Sequence, residues 1–164
     1  MKKTIVVFGS STGTCETIAQ TISSRLGAEV VNIADLTAEQ IQSSDNLILG
    51  TSTWGAGDLQ DDWYDGVTLL KNTGLRGKTV ALFGCGDSSS YPDTFCGAMK
   101  ELYDAAAEAG ANLIGAVSTE GYTFDDSEAV VEGKFVGLAL DDVNEDDQTE
   151  GRINDWITSI QDRL

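Results

Sequence analysis

The chain has 164 residues, with 10 Lys and Arg against 27 Asp and Glu, and a formal net charge of −17. Such a balance repels DNA, RNA and anionic membranes and draws basic surfaces at long range, so nucleic acid and membrane are not expected partners. With no histidine, the chain lacks the side chain that most often moves protons near neutral pH and most often ligates transition metals, which tells against triad hydrolysis.

The length suits one core, and residues 1–164 are expected to form a single domain. No apolar run approaches the roughly 20 residues that cross a bilayer, and MKKTIVVFGSS lacks the long apolar core of a signal peptide, so a soluble cytoplasmic protein is expected. Cys15, Cys85 and Cys96 have no metal-ligand spacing and read as reduced, buried thiols. Neither metal nor disulfide is expected.

In chain order, TIVVF (Thr4 to Phe8) reads as a strand by its β-branched, apolar run. GSSTGTCET, Gly9 to Thr17, follows it, and Ile18, Ile22 and Leu26 then fall on one helical face before Gly27. A helix beginning near Thr14 or Cys15 presents unpaired backbone N–H groups and a partial positive charge to whatever lies above it. Five hydroxyls (Ser10, Ser11, Thr12, Thr14, Thr17) and two glycines, without one Lys or Arg, exceed what a helix cap needs and point to a phosphate held by neutral donors.

EVVNI (Glu29 to Ile33), NLILG (Asn46 to Gly50), TVALFG (Thr79 to Gly84) and LIGAV (Leu113 to Val117) are further strands. After the third comes TSTWGAGDLQDDW and after the fourth CGDSSSYPDTF, each offering an aromatic, Trp54 or Tyr91, among small residues. Two such aromatics can close on a flat ring from opposite sides. Phe95, Met99, Leu102 and Ala106 make a second helical stripe, and Ile153, Trp156, Ile157, Ile160 and Leu164 a third. Between Val117 and the last helix, FVGLAL (Phe135 to Leu140) reads as a strand, so the fifth strand is expected to be split by an insertion at about 118–134. The expected fold is α/β, a doubly wound five-stranded parallel sheet with helices on both faces, with chemistry sought in the loops after Phe8, Gly50 and Gly84.

Other anion motifs fit poorly. GLRGKT (Gly74 to Thr79) has two residues between its glycines where a Walker loop has four, GCGDSS lacks a third glycine, and Tyr91 stands where a Cys-x5-Arg phosphatase needs arginine. A phosphoacceptor domain of the same sheet order would need acids where Phe8-Gly9-Ser10 and Gly50-Thr51-Ser52 offer none.

Taken together, GSSTGTCETIA, GTSTWGAGDLQDDW, GDSSSYPDTF and GYTFDDSEAVVEGKFVGLALDD resemble the flavodoxins, in particular the long-chain class, from Thr4 to about Ile160. The resemblance implies non-covalent flavin mononucleotide (FMN), its phosphate held by Ser10, Ser11, Thr12, Gly13, Thr14 and Cys15. It implies a ring site formed by Thr51, Ser52, Thr53, Trp54, Gly55, Ala56 and Gly57 and by Cys85, Gly86, Asp87 and Tyr91. Trp54 and Tyr91 would cover the two ring faces, the Gly55-Ala56 peptide would flip to meet the reduced ring, and Asp87 would stand near its pyrimidine edge. Cys15 replaces the family's usual threonine, Ser90 a common glycine and Thr94 a common asparagine.

The implied function is low-potential one-electron transfer, cycling FMN between semiquinone and hydroquinone, with no catalytic residue in the protein. Asp58, Asp61, Asp62 and Asp65 flank the expected ring edge. At about 10 Å and an effective dielectric near 40, each such carboxylate disfavours an added electron by roughly 0.8 kcal/mol, or about 35 mV. The implied partners are redox enzymes with basic docking surfaces, of the ferredoxin-NADP reductase, pyruvate oxidoreductase or nitrogenase kind, met by a monomer. Asp141, Asp142, Glu145, Asp146 and Asp147 read as acids that solvate a loop. The alternative is an FMN-dependent NAD(P)H quinone reductase on the same fold, which needs an open ring face.

Overall fold

In the computed structural model, which describes residues 2–9, 13–54 and 58–164, strands and helices alternate. They run β1 (Thr4–Gly9), α1 (Thr14–Leu26), β2 (Glu29–Asn32), α2 (Ala38–Ser43), β3 (Asn46–Trp54), β4 (Asp58–Leu59), α3 (Trp63–Thr73) and β5 (Thr79–Cys85). Then come α4 (Met99–Glu108), β6 (Asn112–Ile114), β7 (Val117–Ser118), β8 (Val130–Val131), β9 (Lys134–Phe135), β10 (Leu138–Leu140) and α5 (Asp146–Ile160).

The main sheet has the order β10-β5-β3-β1-β2, all parallel, with β4 turning back against β3. Strand residues alternate between two covered faces. Ile5, Val7, Leu47, Leu49, Val80 and Leu82 join Trp63, Leu70, Met99 and Leu102 of α3 and α4 on one side. Val6, Phe8, Ile48, Ala81 and Phe83 join Ile18 and Ile22 of α1 and Trp156 and Ile160 of α5 on the other. Burial on both faces is why these strands read as unbroken apolar runs.

The fifth strand position is filled twice. β6 pairs with the first half of β5 (Thr79↔Asn112 to Ala81↔Ile114), and β10 pairs with the second half (Leu138↔Phe83 to Leu140↔Cys85). Between them the chain makes a small antiparallel sheet, β7-β9-β8, in which Phe135 lies opposite both Val117 and Val130. Val117 and Phe135 therefore pair with each other, outside the main sheet, and the excursion spans 115–137. Its ends are fixed by packing: Trp156 Nε1–H donates to the Gly115 carbonyl at 2.9 Å. Gly137 returns so close to β5 that a Cβ there would stand 2.2 Å from the Leu82 carbonyl oxygen.

Among the described residues, no helix is long and apolar enough to cross a membrane.

Candidate functional site

Strand register brings three loops to one edge. Gly9 pairs with Thr51, Ser52 with Cys85, and Leu140 with Cys85, so the carboxyl ends of β1, β3, β5 and β10 lie side by side. This is the edge where open parallel sheets bind ligands. Ser10, Ser11, Thr12, Gly55, Ala56, Gly57 and the Trp54 side chain lie outside the described residues.

At the first loop, α1 is capped by Gly13 in a left-handed conformation (φ 92°) that supplies no side-chain hydrogen bond. A glycine cap accepts this backbone at little cost and leaves the first-turn amides to whatever else can accept from them. The half-buried Thr14 stands on that turn, whereas the Thr17 hydroxyl donates back to the Gly13 carbonyl at 3.1 Å. A cleft of about 620 Å³ beside Gly13 and Thr14 is lined by Asp142, Asp146 and Glu150, which disfavour an anion there.

Cys15 lies wholly inside, its Sγ 3.2 Å from the Sγ of Cys85. The hydrogen bond with Cys15 and burial push the Cys85 thiol well above its ordinary pKa, and burial does the same to Cys96. All three contribute their side chains to the core.

At the second loop, Thr51 is fully buried; its hydroxyl donates to the Ser52 carbonyl at 2.8 Å and accepts from the Gln60 amide at 3.2 Å. The Thr53 hydroxyl accepts from the Ala98 amide at 3.2 Å and so ties the second loop to the third. Two residues that the sequence did not single out back this edge. Trp63 Nε1–H donates to the Gly50 carbonyl at 2.8 Å. A Cβ at Gly9 would stand 2.5 Å from Gln60 Oε1 and 2.6 Å from the Trp63 ring.

At the third loop, Asp87 organises its own turn. Its Oδ1 accepts from the amides of Ser89 (3.1 Å) and Ser90 (3.0 Å) and from Asn144 Nδ2 (2.8 Å). The Asn144 bond, followed by that of the Ser90 amide, holds the carboxyl below its usual range. Tyr91 follows, 46% exposed, its amide donating to the Asp87 carbonyl at 2.8 Å. Asp141 is not a solvated loop acid, as its sequence context implied. It is fully buried, accepting from Ser88 Oγ and from Asn144 Nδ2. Glu145, read the same way, lies 3.0 Å from Arg152. Both belong to the scaffold of the third loop.

Asp58, Asp61, Asp62 and Asp65 are exposed at the mouth of the second loop. Glu101 nearby is pushed up by partial burial and then by Asp58, Glu128 and Asp104. An added electron at this edge meets negative charge.

Fold and site together define a doubly wound α/β protein with a glycine-capped helix and an aromatic-bearing loop at its switch point. The sequence model of the family described as Flavodoxin matches residues 6–156. The chain is 41% identical to a flavodoxin of Helicobacter pylori, over 98% of each chain. It is 38% identical to flavodoxin 1 of Azotobacter vinelandii, covering 100% of this chain and 98% of that one. A crystal structure of Fusobacterium nucleatum flavodoxin bound to flavin mononucleotide superposes with a TM-score of 0.94 at 32% identity, covering 100% and 99% of the two chains. The chain belongs to the flavodoxin family.

Proposed function

We propose that the protein carries electrons one at a time on non-covalently bound FMN, and that residues 1–164 act as one domain whose fifth strand is split by an insertion, expected at about 118–134 and lying within the 115–137 excursion. Family membership supports this, and so does the chemistry of the donor set: a glycine-capped helix with no basic residue from Ser10 to Cys15 suits a phosphate monoester. The single observation that carries the reading is the glycine-capped start of α1, which follows β1 at the edge where β3 and β5 also end. FMN supplies the redox chemistry; the protein binds it, orients it and sets its potentials.

The proposed roles follow the family resemblance. Ser10, Ser11, Thr12, Gly13, Thr14 and the Cys15 backbone take the phosphate. Thr53, Trp54, Gly55, Ala56 and Gly57 approach the ring from one loop, and Gly86, Asp87 and Tyr91 from the other, while Thr51, Ser52 and Cys85 form the floor. The exposed acids keep the reduced cofactor a strong donor and dock on basic surfaces of larger redox enzymes. Ferredoxin-NADP reductase, pyruvate oxidoreductase and nitrogenase types are the proposed partners, and the protein meets them as a cytoplasmic monomer. It is a carrier and not a substrate-converting enzyme, as the naming of its relatives as flavodoxins supports.

Reconstitution with FMN followed by stepwise reduction tests the reading. The expected result is a yellow protein that accepts two electrons in separate steps, the second at the lower potential. A colourless protein that takes up no FMN, or steady NAD(P)H oxidation by the isolated protein, would sink it.

A further inference from the structure

Tyr91 is held by its loop and not by its ring: among the described residues no aromatic packs on it, and it is half exposed. The loop itself is gripped from two sides. Before Tyr91, Asn144 Nδ2 bridges the carboxylates of Asp87 (2.8 Å) and buried Asp141 (2.9 Å), and Asp141 also accepts from Ser88. After Tyr91, the amides of Asp125 and Asp126 both donate to the Pro92 carbonyl, at 2.8 and 3.0 Å. Ser127 Oγ–H donates to the Phe95 carbonyl, and Phe124 stacks on the Phe95 ring at 5.6 Å.

The first grip comes from the β10–α5 turn and the second from the excursion. One side chain joins them. Arg152 of α5 lies 3.0 Å from Glu145 in the turn, donates to the Gly121 carbonyl in the excursion at 3.1 Å, and covers the Tyr122 ring at 3.9 Å. Tyr122 in turn donates to the Ala139 carbonyl of β10 at 2.7 Å. The contacts form a closed circuit from Asp87 through Asn144 and its chain neighbour Glu145 to Arg152 and Tyr122, whose ring meets that of Phe95, back on the loop, at 6.2 Å. Tyr91 sits in the gap that the circuit closes.

We propose that the excursion and the β10–α5 turn are one brace, joined at Arg152, which sets where Tyr91 stands over the cofactor ring. Arg152 and Asn144 are positioning residues that act through Tyr91. The proposal rests on the reading of this edge as an FMN site. A covering ring on a loose loop must be ordered when the cofactor binds, and the brace removes that cost beforehand.

The test uses Arg152→Met and Asn144→Ala, each alone and with Tyr91→Ala. Backbone hydrogen exchange is followed without FMN, and FMN affinity by loss of flavin fluorescence. Arg152→Met is expected to speed exchange across residues 87–95 while leaving β1 and β3 protected. It should loosen FMN about tenfold alone but less than about twofold beside Tyr91→Ala, the non-additivity that contact through a shared residue produces. Unchanged exchange at 87–95, or equal loosening in both backgrounds, overturns the proposal. Asn144 is exposed, so Asn144→Ala decides the matter by the same two measurements if Arg152→Met does not fold. A wild-type protein that takes up no FMN defeats the cofactor reading, and hydrogen exchange then still decides the brace.

Discussion

The sulfur atoms of Cys15 and Cys85 face each other at 3.2 Å in the interior, linking the first turn of α1 to the last residue of β5. Cys15 packs in the cluster of Val6, Phe8, Ile18 and Phe83. Its thiol is therefore turned into the core, and in the proposed site position 15 offers the phosphate its backbone N–H alone. Cys15→Thr is expected to change FMN affinity by less than about twofold. It should cost about 1–3 kcal/mol of stability by burying a hydroxyl and a branch in a filled space. FMN titration and urea unfolding measure both; a several-fold gain in affinity would place the side chain against the phosphate after all.

The Cys15 hydrogen bond and burial keep Cys85 protonated at neutral and mildly alkaline pH, and burial does so for Cys96. The thiolate is the reactive form, so native protein at pH 8 should resist alkylation at both positions. Mass spectrometry should find both modified only after unfolding. Rapid labelling of native protein would mean that the site floor opens.

Asp87 has a folded pKa below its ordinary value, chiefly through Asn144. A depressed carboxyl contributes order that is present above the unfolded pKa of about 3.9 and is lost as pH falls through the folded value. The Tyr91 loop should accordingly loosen only below about pH 4. Asn144→Ala should move the Asp87 titration upward, read from its side-chain carbonyl carbon by NMR. An unmoved titration would show that the loop amides alone hold the carboxylate.

These contacts mark where sequence stops being legible. The β-branched runs, the Ile18/Ile22/Leu26 spacing and the glycine-hydroxyl loop carry their meaning locally, and the sheet, α1 and the ligand edge follow from them. Asn144 and Asp87 are 57 positions apart, and no local pattern pairs them. Asp141 sits in a run of acids that reads as solvated surface, yet its donors, Ser88 and Asn144, meet it only after β10 docks on β5. The short helix α2 does carry a local signal: Thr37 and Gln40 form a capping box, each accepting from the other's backbone amide.

Trp63 and Gly50 show how the second loop is aimed. The buried indole donates to the Gly50 carbonyl at 2.8 Å. Trp63→Phe removes the donor, a loss of about 0.5–1.5 kcal/mol. Gly50→Ala should be worse, since its Cβ would lie 2.0 Å from the Phe83 ring. Thermal unfolding of the FMN-free protein should order the stabilities as wild type, Trp63→Phe, Gly50→Ala; equal midpoints would show that β3 has slack at this point.

The exposed acids act on two quantities that can be separated. With a net charge of −17, encounter with a basic redox enzyme is steered over distances that salt shortens, from a screening length of about 8 Å at 0.15 M to about 3 Å at 1 M. Asp61→Asn and Asp65→Asn should each slow electron delivery to such an enzyme at low ionic strength and lose that effect near 1 M. The same substitutions should raise the lower FMN potential by about 35 mV or less, because one carboxylate at about 10 Å is worth roughly 0.8 kcal/mol. Stopped-flow rates across a salt series give the first quantity and redox titration at fixed salt the second. A slower rate that persists at 1 M, with the potential unmoved, would place these carboxylates in direct contact with the partner and leave the negative field at the ring to other acids.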